Sequence, residues 1–116
     1  MKRVLLTVVG AAFLSGAVVF AQDAKVEAGK KAYETQKCST CHVIAGKGTK
    51  GITPKPLDGI GSTLTAADMK KWFTDTTAME AKLAKKPMVK MSDYLKTHKL
   101  SDADVDALVA YLQTLK

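Results

Sequence analysis

Little in residues 22–116 of this chain can fill a core. They carry 39 apolar side chains, of which 12 are alanine and only five are aromatic: Tyr33, Trp72, Phe73, Tyr94 and Tyr111. Domains this small bury a modest share of their surface and commonly depend on a metal, a disulfide or a cofactor. A group other than side chains is therefore expected at the centre of the fold.

The overall hydrophobic fraction of 47% hides this shortage, because the first 21 residues hold 15 of the apolar residues. Lys2 and Arg3 precede an uncharged run from Val4 to Phe20, and Val19-Phe20-Ala21 suits a signal peptidase. Residues 1–21 are expected to be a cleaved export signal, with residues 22–116 a single domain in the periplasm. An uncleaved anchor is the competing reading, since the run is about long enough to span a bilayer. No second run of that length follows, so the mature domain is not expected to cross a membrane.

Four capped or periodic segments organise the rest. Val26, Gly29, Ala32 and Tyr33 recur at helical spacing between Ala24 and Gln36, with Gly29 and Tyr33 on one face. A glycine there lets another helix come close. Residues 45–61 hold five glycines and two prolines and read as a long loop, of the kind that usually serves a site. Thr65 to Asp68 forms a capping pattern before Met69, Trp72 and Phe73. Thr77 to Glu80 repeats that pattern and predicts a helix through Lys85, ending before Pro87. Ser101 caps a last helix with the apolar stripe Val105, Leu108, Leu112 and Leu115. Residues 22–116 contain eight valines and isoleucines without sustained alternation, so the class is expected to be all-α.

Both cysteines lie in Cys38-Ser39-Thr40-Cys41-His42, and C-x-x-C-H is the attachment signature of c-type haem. One turn of chain presents two thiols to the two vinyl groups, and the adjacent imidazole can reach the iron. A disulfide or a dithiol oxidoreductase leaves His42 unexplained and lacks the βαβ pattern that a thioredoxin-like chain needs. A zinc site from Cys38, Cys41, His42 and His98 has the wrong spacing. One covalent haem c is the expected cofactor.

Over most of residues 24–116 the chain resembles a class I cytochrome c. The resemblance implies a cytochrome c-like bundle of about four to five short helices wrapped round the haem, in which the first and last helices cross and Gly29 receives Tyr111. Pro56-Leu57-Asp58-Gly59 is similar to the segment whose proline carbonyl accepts a bond from Nδ1 of the haem histidine, which would fix the tautomer of His42. Lys55 stands where the family often has glycine, and an ordinary turn proline is the plainer reading of Pro56. Tyr33 and Trp72 are expected to pack against the haem, with Phe73 in the core and Lys70 and Lys71 solvated.

The family usually supplies a methionine as the second axial ligand, and four compete here: Met69, Met79, Met88 and Met91. Met69 and Met79 sit on helical stripes, where methionine more often packs than ligates. Lys90-Met91-Ser92-Asp93-Tyr94 resembles the family's ligand segment, so His42 and Met91 are the expected metal ligands, with Met88 the alternative and His98 an exposed loop residue. Ser92 replaces the proline usual after the ligand.

Without Lys2 and Arg3 the chain has 16 lysines against 11 acids and no arginine. The missing arginines and interleaved aromatics exclude nucleic acid as the expected partner. The resemblance instead implies a monomeric one-electron carrier, not an enzyme, docking through lysines on redox partners with an acidic face. A haem enzyme or gas sensor with an open sixth position, and a haem-bearing subunit of a larger redox complex, are the alternatives.

Overall fold

The computed structural model describes residues 16–116, so most of the expected export signal lies outside the described residues. Those described form six α-helices and no strand: α1 (Gly16–Thr35), α2 (Ile60–Thr63), α3 (Ala66–Thr74), α4 (Thr76–Ala81), α5 (Met91–Thr97) and α6 (Asp102–Gln113). No described helix is long and apolar enough to cross a membrane. The expected cleavage point after Ala21 falls within α1, and burial along that helix begins only at Val26, with Val19 and Phe20 exposed.

Helices α1 and α6 cross at Gly29. A Cβ added there would lie 2.0 Å from the Ala107 carbonyl oxygen and 2.7 Å from Cβ of Tyr111, so the backbones meet where no side chain intervenes. One turn further along α1, Tyr33 packs edge-to-face on Tyr111, with ring centroids 6.0 Å apart. Helix α6 is the most buried element. Val105, Val109 and Leu112 form the core with Met69 of α3, while Leu108 is 1% exposed.

The capping pattern at Thr65 holds: its side chain accepts the Asp68 amide, and Ser101 forms a full capping box with Asp104. The one expected at Thr77 does not. Helix α4 starts at Thr76 after an uncapped Asp75 and stops at Ala81, short of Lys85. The cause is the acid that should complete the pattern: Glu80 turns away from Thr77 and bonds Ser92 instead. Thr76 gives its hydroxyl to the Trp72 carbonyl, which binds the end of α3 to the start of α4.

Two short elements are absent from the sequence reading. Helix α5 has its first turn bonded by a side chain from α4, a partner that local sequence does not reveal. Helix α2 is held by the chain's end: Gly61 donates its amide to the Leu115 carbonyl at 2.7 Å, and a Cβ on Gly61 would sit 2.5 Å from the Gln113 carbonyl oxygen. Lys70 and Lys71 are also not merely solvated. Lys70 pairs with Asp106 of α6 at 2.9 Å and Lys71 with Asp68 at 3.5 Å, although such exposed pairs contribute little.

Gly29→Ala tests the crossing. Forcing a methyl into the Ala107 carbonyl should cost about 1–3 kcal/mol in denaturant unfolding, and parental stability in this variant would refute the close approach.

Candidate functional site

Away from the crossing at Gly29 the helices do not close on one another. They surround a cavity of about 480 Å³ with a largely apolar lining, within the range of cofactor pockets. Cys38, Cys41, His42, Pro56, Trp72 and Met91 all line it, and so does Tyr33.

Local bonding explains how the motif reaches that wall. Lys37 adopts a left-handed conformation that ends α1, and Cys38–Thr40 then winds into one tight turn. The amides of Cys41 and His42 both donate to the Cys38 carbonyl, at 3.2 and 2.9 Å, which brings both thiols and the imidazole onto one stretch of wall. Tyr33 gives its hydroxyl to the His42 carbonyl at 3.3 Å. Gly48, at φ +124, passes so close to the same carbonyl that a Cβ would lie 2.1 Å from its oxygen.

The glycine-rich loop is tied back on the motif by two further bonds. Leu57 donates its amide to the Val43 carbonyl at 2.8 Å, and the Asp58 carboxylate accepts the Ala45 amide at 2.9 Å. Pro56 is thereby carried to the cavity beside His42. The bond expected between the Pro56 carbonyl and the imidazole is not formed: Nδ1 of His42 is buried and has no hydrogen-bond partner. The loop is anchored through Leu57 and Asp58, so proximity does not by itself aim the Pro56 carbonyl at the ring.

The titrating groups fit a wall meant for a ligand. Burial lowers the pKa of His42, which keeps the imidazole neutral and able to coordinate. Burial pushes the Cys38 thiol up to about 11, against the lowered value that a reactive dithiol needs, and neither cysteine is in a disulfide. Burial also raises Tyr33 to about 12, so its hydroxyl remains a donor. No group of three or more His, Cys, Asp or Glu able to hold a metal ion occurs among the described residues. His98 does not line the cavity; its ring stacks on Tyr94, with centroids 3.9 Å apart.

The four methionines separate clearly. Met88 is fully exposed and does not line the cavity, and Met79 does not line it either. Met69 lines it but is 2% exposed in the core, and its sulfur accepts the Gln113 amide at 3.3 Å. Met91 lines it at the first turn of α5.

A family model described as Cytochrome c matches residues 26–116. The chain belongs to the cytochrome c family. No curated protein and no solved structure matches it. A cytochrome c carries covalently bound haem c and serves haem-based electron transfer between redox partner proteins. The residues present fit that group: an apolar cavity in a side-chain-poor core, a buried imidazole on its wall, and two unpaired thiols on the same wall. Cys38 and Cys41 would hold the haem through thioethers and His42 through its imidazole, and the bound group supplies a one-electron couple at its iron.

Sequence reasoning missed Gly48, Asp58 and Glu80 at this site. Gly48 and Asp58 sit in a loop where several glycines and polar residues look alike. The partner of Glu80 is 12 residues away, beyond the reach of a local pattern.

Alanine at Cys38 or Cys41 should give poorly folded protein with little covalent haem, read from haem content and circular dichroism together. Near-normal helix content in a haem-free variant would show that the side chains alone suffice for the core.

Proposed function

We propose that this cytochrome c is a periplasmic one-electron carrier whose haem is ligated by His42 and Met91. The position of Met91 carries the reading. It shares the cavity lining with Cys38, Cys41 and His42, whereas Met88 faces solvent and the Met69 sulfur is already engaged by Gln113. A thioether is a soft ligand that would raise the reduction potential, and His42 and Met91 together would leave no ligand position open on the iron. No substrate then reaches the metal, which is what separates a carrier from an enzyme.

The chain's own residues prepare this chemistry. Tyr33 and Gly48 fix the backbone at His42, burial keeps its ring neutral, and the apolar lining with Trp72 and Leu108 excludes water. The Pro56 carbonyl is the proposed acceptor for Nδ1 once the imidazole is oriented by coordination. Export is supported by the charged and apolar leader and by burial that begins at Val26. A lysine surface without arginine suits brief docking on an acidic partner by a monomeric carrier.

Protein expressed with its leader in a host that attaches haem c should be low-spin, with the weak far-red sulfur-to-iron band in its oxidised form. Met91→Ala should lose that band, bind carbon monoxide and lower the potential, while Met88→Ala should match the parent. A band that survives in Met91→Ala overturns the ligand assignment, and a high-spin parent that binds carbon monoxide points to an enzyme or sensor.

Electron exchange with an acidic partner should slow as ionic strength rises and the Debye length contracts from about 10 Å at 0.1 M. Co-purification that resists high salt would identify a permanent subunit instead.

A further inference from the structure

Glu80 is a buried acid that no step above uses. It is 7% exposed, and a carboxylate in such a place is strongly disfavoured unless it is bonded. Both its oxygens bond one residue. Oε1 accepts the Ser92 amide at 2.9 Å, and Oε2 accepts the Ser92 hydroxyl at 2.7 Å. Ser92 is itself buried, at 8% exposure, and directly follows Met91.

The pair closes the segment between α4 and α5 at its base. Among the described residues, no amide from Ala84 to Met91 donates to a backbone carbonyl. That stretch nevertheless brings Pro87, Val89, Lys90 and Met91 to the cavity. Lys86 adds an outer tie by donating to the Ala81 carbonyl at 2.6 Å, which secures the end of α4 but not Met91. The grip on Met91 comes from the residue beside it: holding the amide and hydroxyl of Ser92 fixes the peptide that joins the two. Proline at this position has no N–H and no hydroxyl, so neither bond is open to a chain that carries it.

We propose that Glu80 is a positioning residue: through Ser92 it straps residues 82–91 to α4 and holds the Met91 thioether in the cavity. The strap rests on the reading of Met91 as axial ligand. The stiffness that a proline ring would supply locally is supplied here by two hydrogen bonds between one carboxyl group and one serine, spanning two helices.

The test uses the full haem-loaded protein with Glu80→Ala, Glu80→Gln, Ser92→Ala and, as a comparison, Thr65→Ala, which removes a cap elsewhere. Two quantities are read: the affinity of the oxidised protein for added imidazole, seen as loss of the far-red band, and amide hydrogen exchange over residues 82–92. Glu80→Ala should bind imidazole roughly tenfold more tightly and exchange faster in that segment. Glu80→Gln can still accept the amide and donate to the hydroxyl, so it should stay near the parent. Ser92→Ala should move the same way as Glu80→Ala by a smaller factor.

Parental affinity and exchange in Glu80→Ala overturn the strap, as does an equal tightening in Thr65→Ala, which would reduce the effect to general stability. If Glu80→Ala does not fold, Ser92→Ala decides by the same two readings, and no change there overturns the proposal. Faster exchange in Glu80→Ala together with a band that survives Met91→Ala overturns the ligand reading instead, so the two failures are distinct.

Discussion

Everything in this cytochrome c depends on α1 and α6 touching backbone to backbone at Gly29. The crossing sets the two helices without spending side-chain volume, in a domain that has little to spare. It also sets the direction in which α1 ends. Lys37 then reverses the chain, and the turn at Cys38–Thr40 delivers the thiols and imidazole to the cavity wall. Tyr33 couples the two levels, because its ring packs on Tyr111 of α6 while its hydroxyl holds the His42 carbonyl.

The remaining elements are arranged around a space, not a packed centre. Helix α6 and Met69 make a small core on one side, and α3, α4 and α5 continue as a thin wall. Such a wall is held by polar contacts where apolar ones run out. Thr76 on Trp72, Glu80 on Ser92 and the Tyr94 hydroxyl on the Gln36 carbonyl each tie two separate stretches of that wall. The Glu80–Ser92 pair is buried, and a buried polar pair is costly when broken, which makes it effective in fixing one arrangement of a wall.

Much of the site was legible in sequence because its chemistry is local. C-x-x-C-H needs only one turn of chain to bring its three side chains together, and the bonds from Cys41 and His42 to the Cys38 carbonyl form that turn. Caps at Thr65 and Ser101 were legible for the same reason, since donor and acceptor are three residues apart. At Thr77 the same local logic failed. Glu80 had two possible partners, and the distant one offered two bonds to a carboxylate in a buried setting.

The sequence alone determined the helical class, the turn that carries the C-x-x-C-H motif and the shortage of core side chains, because each follows from composition or from spacing within one turn. Which of the cavity-lining methionines packs into the core, what carries Pro56 to the cavity and what closes the segment before α5 were decided only by the tertiary structure. Met69, Met88 and Met91 are chemically the same side chain, and only tertiary packing puts Met69 in the core with its sulfur engaged, Met88 in solvent and Met91 at the cavity. Leu57 on Val43, Asp58 on Ala45 and Ser92 on Glu80 join residues 12 to 14 apart in the chain. No helical or strand period predicts contacts at that separation, because they exist only once the loops have been folded back onto the helices.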